Sequence, residues 1–299
     1  MSQIIVDQFS PFAEKLRTIF DKNFADPRQT HIQRFQWDYW HVPNQYTLVR
    51  TPAYQYFPKS TYMSFHKHLV QWGRRHLGCW DITPPWMSFY VEGCKQELHS
   101  DVPHGPWAFV YSLTLDAKKF KGGETLILKP EVLSYWNHFS AQKDHESDSF
   151  IKKIPVKFNR LTVFDPRFPH GVSEVKGTND PREARLVIHG WFTQPKTYIN
   201  GFLPPKKTES LLNQAYQRTN DLIFHFDQKG ISVFGTLSVY LRVNRLGKVT
   251  EARLLTNSLL SKEGRRVPAI EKAILNIYRE ISFTTAKGVS QLTIPLVVL

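Results

Sequence analysis

Two side chains in "CKQELHSDVPHGPWAF" (94–109) are placed for chemistry: His99 and Asp101 stand one residue apart at the end of what reads as a β-strand. Side chains two apart on a strand point to the same side, so an imidazole and a carboxylate converge on one spot. A metal site needs a third donor. One follows 71 residues on, where "FDPRFPHGVSEV" sets His170 after a strand and a Pro-containing turn. Two imidazoles and a carboxylate on one face of an octahedral ion leave the remaining positions open, a geometry that suits Fe(II) chemistry with a cosubstrate and O2. A zinc ion held by His99, Asp101 and either His104 or His170 is the competing use, directed at hydrolysis.

A 2-oxo acid bound through its keto and C1 carboxylate oxygens fills two open positions. Its far carboxylate then calls for a cation, best a planar guanidinium that binds bidentately. "EARLVIHGWF" offers Arg185, fifteen residues past His170, inside a strand pattern; Arg182, at the end of the inserted "KGTNDPRE", competes with it. Zinc accounts for neither Arg185 nor the Gly-Gly strand "FKGGETLIL". Each residue alone has an ordinary reading. A lone His is usually a surface imidazole, which is how His104, His138, His145 and His189 read. Asp101 would serve as a turn initiator before "VPHGP", and a strand Arg as a solvated edge charge. The metal reading rests on the coincidence of all four in this order.

These residues need a scaffold, and the patterns supply one. "FSPFAEKLRTIFDKNF" reads as a helix, with Ser10 as cap, Pro11 in the first turn, and Phe12, Leu16, Ile19 and Phe20 on one face. The stretch 34–58 is aromatic and Pro-punctuated, with short strands. Its Trp37, Tyr39, Trp40, Tyr46 and Tyr54 either wall a peptide groove or fill a core. A second helix covers 60–79, ending near Gly78. From 86 on, "WMSFYVEG", "FVYSLTLD", "GETLILKP", "NRLTVFDP" and "ARLVIHGWF" are short strands too closely spaced for βαβ crossovers, which predicts an antiparallel sandwich or barrel. A polar excursion at 133–150 separates two of them. "TQPKTYINGFLPPKKTES" after Phe192 reads as a connector that can be cut without exposing a sheet. Beyond it, "GTLSVYLRVN", "VTEARLL", "VPAIEKAILNIYREI" and "QLTIPLVVL" alternate or recur at strand, strand, helix and strand periods, a ββαβ unit of its own.

Composition sets the outer limits. The 299 residues are 41% hydrophobic and lack an apolar run of the roughly 18 residues a bilayer span needs. No basic patch followed by an apolar core opens the sequence, so no signal peptide is expected. Two cysteines, Cys79 and Cys94, imply no disulfide framework, and a reducing cytoplasm is the expected location. Of the net charge of +13, +7 falls in residues 206–299. No nucleic-acid motif accompanies it, so it reads as a solvated basic surface.

The set HSD (99–101), "FKGGETLIL", "NRLTVFDPRFPHGV" and "ARLVIHGWF" resembles the iron- and 2-oxoglutarate-dependent dioxygenases of the prolyl 4-hydroxylase-like group, over roughly residues 85–192. The resemblance implies a double-stranded β-helix, or jelly roll, with flanking helices and the iron in its mouth. It implies His99, Asp101 and His170 as iron ligands, Arg185 as the 2-oxoglutarate anchor, and Fe(II), 2-oxoglutarate and O2 as cofactor and cosubstrates. The reaction implied is C–H hydroxylation of a peptide, protein or small-molecule substrate, a prolyl residue among them, coupled to decarboxylation of 2-oxoglutarate. Relatives with "YYLN" use a tyrosine on the far carboxylate. Here "VYSLT" puts Ser112 at that place with Tyr111 beside it. The C-terminal pattern is similar to the C-terminal domain of TonB and of gliding-motility relatives, which implies a protein partner by strand addition. The expected organisation is therefore an oxygenase domain at 1–200, a linker and short helix at 201–220, and a small α+β domain at 221–299. A catalytically silent jelly roll that recognises a peptide is the alternative, against which the complete triad speaks.

Overall fold

The alternation that begins at Trp86 builds a curled antiparallel sheet. In the computed structural model, which describes residues 3–26, 28, 32–101, 104–130, 132 and 150–298, twelve strands join it. The excursion at 133–150 lies outside the described residues except for Phe150, as do His138 and His145. The central path runs Trp107–Ser112, Arg185–Pro195, Trp86–Tyr90, Tyr46–Pro52, Lys95–His99, His170–Val172 and Thr125–Leu128. Strand neighbours far apart in sequence thus become neighbours in space, the pattern of a jelly roll. Asp38–Val42 adds a hairpin to Tyr46–Pro52, so much of the aromatic stretch is sheet.

The two faces of this sheet are chemically different because strand residues alternate. On the Arg185–Pro195 strand, Leu186, Ile188 and Phe192 enter the main core, while Arg185, Val187, His189 and Trp191 line a cavity on the other face. The core face is covered by two amphipathic helices. Ala13–Phe24 buries Ala13, Leu16 and Phe20, and Lys59–His76 buries Thr61, Phe65, Leu69 and Gly73, one per turn. Ser10 sits before the first helix and accepts a hydrogen bond from the Phe12 amide at 3.2 Å. The aromatic stretch serves both sides. Trp37 packs against the core, Trp40 and Tyr46 line the cavity, and Tyr39 and Tyr54 are exposed.

A second sheet gathers Tyr198–Asn200, Ser290–Val298, Val233–Val243 and Val249–Asn257, with Leu260–Ser261 at one end. Its apolar face packs on Pro268–Arg279 and on a long helix, Pro205–Gln228. The region read as a linker and short helix is therefore mostly the first part of a 24-residue helix, whose Leu212 and Ala215 belong to this second core. Pro205 at its start is what the sequence pattern mistook for a connector; proline suits a first helical turn as well as a loop.

The connector reading fails for a second reason. The second unit leans on the end of Lys59–His76. Ser238 Oγ donates to the Leu77 carbonyl at 3.0 Å and Thr293 Oγ1 to the Arg75 carbonyl at 2.7 Å. Pro295 lies so close to Gly78, at φ +69°, that a side chain there would collide with its ring. A chain ending at Asn200 loses these contacts and the partner of strand Tyr198–Asn200. At about 1 kcal/mol for each lost hydrogen bond, these two bonds alone predict a melting temperature lower by roughly 4–8 °C. Thermal unfolding of the two forms checks this; equal midpoints would make the second unit an appendage.

Candidate metal centre and cosubstrate pocket

His99 ends the strand Lys95–His99, and His170 opens His170–Val172, the neighbouring strand. The register pairs the two residues directly, and their rings stand side by side with centroids 4.6 Å apart. Each ring is held by the carbonyl two residues before it. His99 Nδ1 donates to the Glu97 carbonyl at 2.8 Å, and His170 Nδ1 to that of Phe168 at 3.0 Å. A carbonyl can only accept, so both Nδ1 atoms carry the hydrogen and both Nε2 atoms present lone pairs.

Those lone pairs face a carboxylate. Asp101 Oδ2 lies 3.1 Å from His170 Nε2 and 3.8 Å from His99 Nε2, and one ligand atom from each residue falls within 4.8 Å of the others. Three electron-pair donors turned on one point are reconciled only by a proton or a cation, so the donor set fits a divalent ion. Electrostatics keep the donors in the state a metal needs. Burial, with His170 close by, holds the His99 pKa below its usual value. Burial pushes Asp101 up, but the closeness of His170 and the surrounding imidazoles outweighs it, and its pKa lies below the carboxylate range. His104 is outside this cluster; its ring packs at a tilt against Trp191 with centroids 4.4 Å apart.

The turn "DPRFP" carries both halves of the triad. The Asp101 amide donates to the Pro166 carbonyl at 3.0 Å, and Phe168 supplies the acceptor for His170. Asp165, fully buried, holds that turn through Arg167 Nε at 2.9 Å, and from the second unit Ser258 Oγ donates to it at 2.6 Å. Removing outer partners of metal ligands typically costs 10–100-fold in metal affinity. Asp165→Ala is accordingly expected to weaken Fe(II) binding roughly tenfold, measured by competition with a chromophoric chelator. Unchanged affinity would show that the turn holds its shape unaided.

The same cavity, about 620 Å³, reaches from the triad to Arg185. Arg185 is fully buried, with Nε donating to the Gly123 carbonyl at 2.7 Å and Nη2 to Thr125 Oγ1 at 3.2 Å. The Gly123 carbonyl is available because Gly122 and Gly123 take successive left-handed conformations (φ +78° and +75°), which glycine adopts without strain. Tyr90, the cross-strand partner of Arg185, lies against the guanidinium, with the ring centroid 4.5 Å from Cζ. Nη1 has no partner. A buried guanidinium N–H without an acceptor is costly, and an incoming carboxylate would relieve it.

Other candidates lie elsewhere. Arg182 is exposed and paired with Asp180 at 2.9 Å. Tyr111 is on the core face of its strand, its hydroxyl donating to Asn159 Oδ1 at 2.9 Å; Ser112 is buried and accepts from the Thr114 amide at 3.3 Å. Neither lines the cavity. Tyr90 and Thr125 stand beside Arg185 instead, and the sequence reading passed over both. Tyr90 shares the alternation of Trp86 in "WMSFYVEG", the one signal that would have placed it on the cavity face. His189, read as an ordinary imidazole, also lines the cavity. Its Nε2 lies 2.8 Å from Ser88 Oγ, and burial, together with Arg185 and Arg50, pushes its pKa down to about 3.

Residues 85–193 match the family model of the 2OG-Fe(II) oxygenase superfamily. The chain carries a 2OG-Fe(II) oxygenase domain. Members of that superfamily use Fe(II), 2-oxoglutarate and O2. Among solved structures, the chain is similar to a prolyl-4-hydroxylase from Pseudomonas putida at 15% identity, covering 64% of this chain and 92% of that one, with a TM-score of 0.40. A prolyl hydroxylase from Trichoplax adhaerens, solved with a hypoxia inducible factor peptide fragment, matches at 16% identity over 64% and 83% of the chains, with a TM-score of 0.38. The viral collagen prolyl hydroxylase of Paramecium Bursaria Chlorella virus-1 matches at 12% over 64% and 95%, with a TM-score of 0.39. No curated protein matches. No helix among the described residues is long and apolar enough to cross a membrane.

Proposed function

We propose that this oxygenase hydroxylates a C–H bond of a peptide, protein or small-molecule substrate, with a prolyl residue as the case the motif resemblance favours. His99, Asp101 and His170 would hold Fe(II), and Arg185 would pair with the far carboxylate of 2-oxoglutarate. The observation that carries this reading is the shared cavity. It joins a converging His–Asp–His set to a buried guanidinium whose Nη1 lacks an acceptor among the described residues. When bound, the ion with 2-oxoglutarate and O2 supplies the oxidising chemistry: the 2-oxo acid is converted to succinate and CO2, and one oxygen atom goes to the substrate.

The protein's own residues bind and orient. The carbonyls of Glu97 and Phe168 fix the two imidazoles with Nε2 turned inward. Thr125, Gly123 and Tyr90 hold Arg185 in one orientation, so little rotamer freedom is lost when a carboxylate arrives. Trp86, Trp40 and Tyr46 line the cavity with aromatic surface that limits water. The test is succinate formation by anaerobically Fe(II)-loaded protein given 2-oxoglutarate and then O2, with and without candidate peptides. Succinate above the metal-free control is expected even without substrate, from slow uncoupled turnover. None under any condition would overturn the reading.

A further inference from the structure

The cavity holds a second guanidinium that the cosubstrate leaves unused. Arg50 lies on Tyr46–Pro52, and its register partner Ser88 is on Trp86–Tyr90, the strand that also pairs with Arg185–Pro195. Its plane is clamped between two indoles. Cζ is 3.2 Å from the ring centroid of Trp40 and 4.2 Å from that of Trp86. With both π faces covered, only the N–H edge remains for a ligand, and its Nε is buried without a partner among the described residues. Asp38, opposite it on the hairpin, attracts it at longer range, and among the described residues no ion pair joins the two. Among the described residues lining the cavity, Asp101 is the only carboxylate, and the reading above commits it to the metal. His189, the neighbouring imidazole, is neutral at physiological pH, with its pKa near 3.

The charges of 2-oxoglutarate are already matched on that reading. One carboxylate goes to the ion and the other to Arg185, so nothing in the cosubstrate answers Arg50. We infer that Arg50 binds a carboxylate of the substrate to be oxidised. The inference rests on the oxygenase reading and adds a substrate class to it. A planar carboxylate meets the free edge of a guanidinium with two parallel hydrogen bonds. A single clamped cation suits a singly charged group better than a phosphate dianion, which would call for further donors that the aromatic walls do not supply. The carboxylate belongs either to a small amino acid derivative or to an acidic side chain of a peptide. The indoles lock the guanidinium in place, so the site is preorganised for either.

The experiment uses the full chain, as wild type, Arg50→Met and Arg50→Lys. N-acetyl amino acids, their carboxamides, and end-blocked peptides with and without Asp or Glu are the probes. Two readouts are taken: succinate formation stimulated by each probe, and 2-oxoglutarate binding to the Mn(II)-loaded protein by calorimetry. Carboxylates of one of the two sources are expected to stimulate turnover, with their uncharged counterparts at least about tenfold less effective. Arg50→Met should lose that discrimination, Arg50→Lys should recover only part of it, and 2-oxoglutarate affinity should stay within about twofold of wild type, because Arg185 makes that contact. Three results would overturn the assignment: equal stimulation by charged and uncharged probes, stimulation by no carboxylate, or a tenfold loss of 2-oxoglutarate affinity in Arg50→Met, which would move Arg50 into the cosubstrate site. A wild-type protein that binds no 2-oxoglutarate would instead sink the oxygenase reading itself, and this assignment with it.

Discussion

Asp101→Ala is expected to abolish Fe(II)-dependent consumption of 2-oxoglutarate. The carboxylate is the one anionic donor in the set. Without it, two neutral imidazoles must hold a dication at a position where burial already disfavours charge. Loss of an outer-sphere partner costs 10–100-fold in metal affinity, so loss of a ligand should exceed about 100-fold. Fold should survive, because the Asp101 backbone bond to Pro166 is kept. The measurement is Fe(II) affinity by chelator competition, with succinate formation at limiting iron beside it. Near-wild-type turnover at limiting iron would remove Asp101 from the metal site, and with it the proposed triad.

The second large effect belongs to Arg185. Arg185→Met keeps the apolar length of the side chain in the cavity and removes the guanidinium, so the buried site is filled without a stranded charge. By analogy with removing one partner of a buried hydrogen-bonded charge pair, 2-oxoglutarate binding should weaken by roughly 2–5 kcal/mol, about 30- to 4,000-fold. Metal affinity in the absence of 2-oxoglutarate should change little. Arg182→Met is the control; its partner is Asp180 on the surface, so the same titration should read as wild type. Sensitivity at Arg182 with indifference at Arg185 would mean that the cosubstrate lies outside the cavity described here.

Much of this site was legible in the chain because it depends on short-range rules. The convergence of His99 and Asp101 follows from strand parity alone, and the Gly122–Gly123 turn from the conformational freedom of glycine. The strand patterns from Trp86 onward announced an antiparallel sheet because their spacing leaves no room for crossovers. Parity also separates Trp107, Phe109 and Tyr111 from Ala108, Val110 and Ser112. It does not say which set faces the cavity, since that is decided by where the helices pack. Here the large aromatic set went under Lys59–His76, taking Tyr111 away from Arg185, and the neighbour of Arg185 became Tyr90 from a strand almost a hundred residues earlier.

What the sequence by itself determined, then, is which residue types the candidate site offers and the kind of sheet that carries them, all properties of residue type and local period. Tertiary structure alone decided three other things. It paired His170 with His99 in register, so that spacing along 71 residues became rings 4.6 Å apart. It paired the Asp38–Val42 strand with Tyr46–Pro52 beside the cavity, so that Arg50 from a stretch without any chemical motif was clamped between two indoles. And it set Ser258 of the second unit against Asp165, tying the turn behind the triad to a part of the chain that reads as separate. Each is a contact between segments distant in sequence. Such contacts follow from how whole faces bury against one another, a sum over many weak apolar terms that no local pattern encodes.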